Sequence, residues 1–102
     1  MATMYVAWHK WNRVPVNGTT MQTEGQFIAS QALDITTSAP TDPAPVDAEY
    51  AEVWADVPFY FVPGTGTVTA TKDSKCKPFP ANVPVQVPSI KPGGTKIAGI
   101  AI

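Results

Sequence analysis

The sequence predicts an all-β chain: a single antiparallel β-sandwich or a jelly-roll-like small barrel of about seven short strands. Three observations predict it. Eleven prolines are scattered along the chain, and a residue without a backbone N–H cannot continue a helix interior, so little length is left for helices. Between the prolines lie short runs rich in Val, Ile, Thr, Tyr, Phe and Trp, side chains that suit a pleated surface. Turn chemistry separates those runs at short intervals.

The first strand is expected over residues 4–11. Val16-Asn17-Gly18 then supplies a hairpin turn, since Asn-Gly readily takes the left-handed conformations such a turn needs. A second strand is expected over 26–37. Residues 38–48 follow as an extended loop held open by Pro40, Pro43 and Pro45, either a surface arm that docks on a neighbour or a plain crossover between sheets. Residues 47–57 satisfy two periods. As a helix they begin at an Asp47 N-cap and place Tyr50, Val53, Trp54 and Val57 on one face. As a strand they turn Ala51, Val53, Ala55 and Val57 inward, with Tyr50, Glu52, Trp54 and Asp56 outward. The β-rich neighbours and Pro58 favour the strand, over 49–57. Further strands are expected at 59–62, 67–71, 83–87 and 95–102, separated by Pro63-Gly64-Thr65-Gly66, Lys72-Asp73-Ser74 and Lys91-Pro92-Gly93-Gly94. Both faces of the last strand are apolar or small, so it should be central in its sheet or covered by a partner.

A chain of 102 residues and 10.9 kDa fits one domain, residues 1–102, with a thin core. Hydrophobic content of 44% against 15% charged residues describes a folded chain. A pI of 5.6 argues against nucleic acid as a partner, which would call for a basic surface. The longest apolar stretches, 57–62 and 97–102, fall far short of the roughly 20 residues that cross a bilayer, so no membrane partner is expected. The first residues lack the basic region and apolar core of a signal peptide, and synthesis in the cytoplasm is expected.

Candidate chemistry is sparse. One Cys and one His cannot supply the four ligands of a structural zinc site, and no metal or cofactor is expected. Cys76 lies between Lys75 and Lys77, whose charges favour the thiolate, and His9 would be its only histidine base. No local signature surrounds either residue, so Cys76 reads as a bystander and the chain as non-enzymatic. Asp47, Glu49 and Glu52 read either as an acid–base or cation-binding group or as a solvated acidic strand. The glycine clusters at 63–67 and 92–96 lack Walker spacing and open no helix, so they are turns.

Charge and aromatic residues carry more. Residues 1–13 have a balance of +2, residues 14–71 of −7 and residues 72–102 of +4, a polarity that suits assembly if the fold keeps it. The interface candidates are Trp8, Trp11, Tyr50 and Trp54 with Pro40, Pro43 and Pro45 of the loop, the alternative being that the aromatics fill the core. A second functional reading is a carbohydrate-binding sandwich that uses Trp54 and Tyr60 as stacking residues.

Residues 49–102 also resemble a pattern found in small structural proteins of tailed bacteriophages. It runs through Ala55-Asp56-Val57, the aromatic Phe59-Tyr60-Phe61, Gly64, Ala70-Thr71, Phe79-Pro80-Ala81-Asn82, the short strand 83–87 and Pro92-Gly93-Gly94-Thr95-Lys96-Ile97-Ala98-Gly99-Ile100. Phe79 stands where the pattern has Leu, and 93–94 holds an extra glycine. The resemblance implies a small β-sandwich or jelly-roll virion component, a capsid decoration (cement) or head-fibre protein. It further implies bridging of major capsid protein subunits on the capsid exterior, as a homo-oligomeric dimer or trimer, with no catalytic chemistry. A phage adhesin or fibre component is the form that the carbohydrate reading takes.

Overall fold

Runs that alternate between apolar and polar side chains build two facing sheets. The computed structural model describes residues 2–16, 19–72 and 77–102, with the backbone course alone for 12–16, 19–24 and 77. Eight strands follow in chain order: β1 Thr3–Val16, β2 Thr19–Asp34, β3 Ala39–Pro40, β4 Tyr50–Ala55, β5 Phe59–Gly64, β6 Lys77–Phe79, β7 Val85–Val87 and β8 Lys96–Ala101. No helix occurs among the described residues. The first sheet has the order β2-β1-β4-β7 and the second β3-β8-β5-β6, with every pairing antiparallel. The all-β sandwich expected from the sequence is the fold.

The strand order is that of a jelly roll with one strand moved. If β1 is counted last instead of first, the two sheets read 1-8-3-6 and 2-7-4-5. Those are the interleaved sheets of the eight-stranded jelly roll, in which successive strands mostly cross from one sheet to the other. Here the closing strand is supplied by the start of the chain, and its hairpin with β2 joins the two neighbours directly.

The core lies between the inner faces. Met4, Val6 and Trp8 of β1 and Ala51, Val53 and Ala55 of β4 face Phe59, Phe61 and Ile97 of the second sheet, with Ile35 and Val87 closing the ends. Each of the larger side chains contributes about 1.5–3 kcal/mol by leaving water. The period-2 reading of 47–57 therefore holds for Ala51, Val53 and Ala55. It fails for Tyr50, which belongs to the opposite face yet is fully buried, because other aromatic rings cover it.

β8 is central, flanked by β3 and β5, as its two apolar faces required. Its inner side chains enter the core, and its outer Ala98 is covered by Ala70, with Tyr60, Val62, Val68 and Ile100 around them. The expected strand at 67–71 is this cover and not a strand. It lies over the outer face of the second sheet, and the Ala70 N–H donates to Ser38 Oγ at 2.9 Å instead of to a ladder. β3 and β6, at two and three residues, were too short to leave a period in the sequence. β1 and β2 run longer than expected, 14 and 16 residues, and stay paired to Val16 opposite Thr19. The expected turn residues Asn17 and Gly18, and Asp73 and Ser74 of the later turn, lie outside the described residues.

Candidate functional site

Register places an aromatic band on the outer face of the first sheet. Across β1 and β4, Tyr5 stands opposite Trp54, Ala7 opposite Glu52 and His9 opposite Tyr50. The Tyr5 and Trp54 rings stack at 5.4 Å with 17° between their planes. Tyr50 stacks on His9 at 4.9 Å and on Trp11 at 4.0 Å, and His9 meets Phe27 edge-on at 5.8 Å. The Tyr50 hydroxyl accepts the Gly25 N–H at 3.0 Å, so this buried ring also ties β2 to β4 across β1. The Trp11 N–H donates to the Glu49 carboxylate at 3.2 Å, and the Glu49 N–H donates to the His9 carbonyl at 2.8 Å. His9 Nδ1 is buried among these rings and has no hydrogen-bond partner.

Glu52 lies between the two ring clusters of the band, and the Glu49 carboxylate borders it at Trp11. Residues 3–9 of β1, 25–34 of β2 and all of β4 and β7 contain no Lys or Arg. Lys96 lies on β8 and Lys72 on the cover of the second sheet, so those two cations sit on the other side of the sandwich. Part of the charge polarity written along the chain thus survives folding.

The interface candidates divide. Trp8 is 3% exposed and Tyr50 fully buried, so both are corrected from surface candidates to packed residues: Trp8 fills the core and Tyr50 anchors the band. Trp11 and Trp54 remain partly exposed on the band. The proline loop is a crossover whose bonds go to its own chain. Pro40 pairs with Ala98 in β3; the Thr41 N–H donates to the Ile97 carbonyl and its hydroxyl accepts the Ile97 N–H; the Ala44 N–H donates to the Thr95 carbonyl. Pro43 and Pro45 form one wall of an open groove of about 320 Å³ against Ala29, Ser30 and Gln31, with Trp8 and Asp42 completing its lining.

The carbohydrate pair is not brought together. Trp54 faces out from the first sheet, whereas Tyr60 faces out from the second, under the 67–71 cover. Cys76 lies outside the described residues, and His9 serves the aromatic band. Among the described residues no group of three His, Cys, Asp or Glu is placed to hold a metal ion. A second groove, of about 460 Å³, opens between β6 and β7 over Phe61, Phe79, Val85 and Val87.

Two exposed aromatics were missed as surface residues. Tyr5, 37% exposed, shared the period of Trp54 and was legible from the register of β1 against β4 alone. Phe27, 58% exposed, was not legible. Counting back from the inward Ala29 turns Phe27 into the core, but the ladder skips Ile28, and this bulge turns Phe27 onto the outer face opposite His9.

Fold and band together define a class, a small two-sheet β-sandwich with an aromatic band on one outer face. No known family matches the chain, and no curated protein or solved structure matches it.

Proposed function

We propose that the chain is a non-enzymatic structural protein of a tailed-phage particle, a capsid decoration or cement protein that stabilises the shell by bridging major capsid protein subunits. The observation that carries this reading is where the phage-like pattern of residues 49–102 falls. Its residues are those on which this sandwich depends. The Asp56 carboxylate accepts the Thr3 N–H at 2.8 Å, and the Asp56 N–H donates to the Thr3 carbonyl. Asn82 takes a φ of 60° and donates its N–H to the Ala55 carbonyl at 2.7 Å. Gly99 leaves the room that Met4 fills. A pattern made of fold-determining residues supports a shared architecture, and in the resembling proteins that architecture serves assembly. The partly exposed Trp11 and Trp54, the exposed Phe27 and the uneven charge provide surface for several weak contacts, which act together when a subunit bridges neighbours.

Purified protein is expected to add back to capsids stripped of their decoration and to raise their disruption temperature. Shells that neither retain the protein nor gain stability overturn the reading. The carbohydrate alternative now rests on Tyr5 and Trp54 beside Glu52, since Tyr60 lies on the other face.

A further inference from the structure

A sheet edge exposes N–H and C=O groups with which any extended chain can pair, and folded proteins guard such edges. Four strands lie at edges here: β2 and β7 in the first sheet, β3 and β6 in the second. Three of them are guarded by short length and proline. β3 has two residues and ends in Pro40, β6 has three residues around Pro78, and β7 has three residues between Pro84 and Pro88. β2 runs for 16 residues without a proline, lysine or arginine, and it carries the exposed Phe27.

β2 also outruns its sheet. β4 pairs with β1 only from Met4 to His9, so beyond Lys10 the β1–β2 ribbon continues as two strands. The molecule is 48 Å long against 27 and 24 Å across, and its radius of gyration of 14.3 Å exceeds the roughly 13 Å of a compact chain this size. A two-stranded hairpin is marginal in water by itself.

We propose that β2 is a self-pairing edge: two copies of the chain join antiparallel, β2 to β2, across a twofold axis near Phe27. Two four-stranded sheets become one of eight strands, and the exposed Phe27 meets its own copy. Twist favours a second copy over an unrelated strand. The β1–β2 register slips twice, between Trp8 and His9 and between Lys10 and Asn12, and such bulges sharpen strand twist. Only a strand of like twist follows that edge, and an identical strand has it. Charge agrees. The acidic positions of β2 are 24 and 34, and an axis through Phe27 sets 24 against 30 and 34 against 20, so neither meets an acidic position. An edge of roughly 50 Å by roughly 10 Å covers about 500 Å² per copy, or about 1,000 Å² in total, where specific interfaces begin. At Ala29–Gln31 the crossover runs beside this edge, where the Asp42 N–H donates to Gln31 Oε1 at 3.0 Å, and a groove of about 320 Å³ lies between the two.

The Ile35 N–H donates to the Ala2 carbonyl across the ladder, so by alternation Leu33, Gln31 and Ala29 turn their N–H toward β1 and Ser30 turns its own to the open edge. Ser30→Pro therefore removes an edge donor without a ladder bond, and Phe27→Lys places a charge at the axis. Light scattering after size exclusion, over a concentration series of the full chain, should give the mass of two 10.9 kDa chains, and of one for each variant with its strand spectrum unchanged. In a Cys76→Ser background, Phe27→Cys should form a disulfide-linked dimer on mild oxidation. A wild-type chain of single mass, or a dimer that survives both variants, overturns the proposal. If Ser30→Pro does not fold, Phe27→Lys, at an exposed side chain, decides alone. The pairing concerns the purified chain, and its outcome is independent of binding to any shell.

Discussion

Gly99 of β8 and Met4 of β1 hold the two sheets together by sharing one volume. A Cβ on Gly99 would overlap Met4 Sδ, stand 2.9 Å from Met4 Cε and reach 3.2 Å from Ile35 Cγ2. Both Met4 and Ile35 are fully buried, so neither can turn out to solvent. Gly99→Ala is expected to destabilise the fold by about 1–3 kcal/mol, the usual cost of overpacking. In a Met4→Ala background the added methyl enters vacated space, and its cost should largely vanish. Chemical denaturation of the four proteins of this cycle gives the coupling; an equal cost in both backgrounds would contradict the shared volume.

Tyr50 makes a different kind of tie, through its hydroxyl. Tyr50→Phe keeps the stacks on His9 and Trp11 and removes the acceptor of the Gly25 N–H. The expected loss is about 1 kcal/mol, that of one partly buried hydrogen bond. Faster amide exchange at Gly25, with core amides of β4 unchanged, would locate the loss at the base of the ribbon.

The acid limb of stability should include Asp34. The Thr36 hydroxyl donates to its carboxylate at 2.7 Å and the Thr36 N–H donates at 3.0 Å, and these bonds hold the carboxyl below its ordinary range. The folded value is thus depressed, so its contribution is present above the unfolded value and lost as pH falls through the folded one. Thr36→Val removes the larger cause and should raise the Asp34 midpoint in a carboxyl NMR titration. An unmoved midpoint would exclude the hydroxyl as its source.

Much of this fold was legible because period 2 survives wherever one face is buried. Ala51, Val53 and Ala55 lie inward as the alternation required, and the two apolar faces of residues 96–101 placed β8 in the middle of its sheet. The rest depended on facts that periodicity does not carry. The bulge at Ile28 reverses the face of Phe27. Residues 67–71 alternate like a strand but spend the Ala70 N–H on Ser38. Tyr50 alternates outward and is buried by rings from a neighbouring strand, which only the register of β1 against β4 brings over it. The candidate site was less legible than the fold for the same reason, since a surface band is set by register and bulges more than by composition.

Trp54 separates the two functional readings. Its ring spends one face on Tyr5, so Trp54→Ala should leave the core intact and expose Tyr5 further. If the face binds glycans, the variant loses retention on a glycan array that the wild type shows, while Tyr60→Ala, on the other sheet, keeps it. If the face serves assembly, neither protein is retained on the array, and Trp54→Ala weakens add-back to stripped capsids.

Asn82 lies in the turn between β6 and β7. Its φ of 60° is left-handed backbone, which costs an ordinary L residue about 1–2 kcal/mol and costs Asn less. Its N–H is committed to the Ala55 carbonyl at 2.7 Å, so the turn closes against the end of β4 next to the Asp56–Thr3 pair. Asn82→Gly should therefore be close to neutral, whereas Asn82→Val should destabilise by about 1–2 kcal/mol, since a β-branched side chain tolerates this conformation least. Thermal melts of the two variants decide it. Equal melting temperatures would show that the left-handed turn is not what fixes Asn at this position.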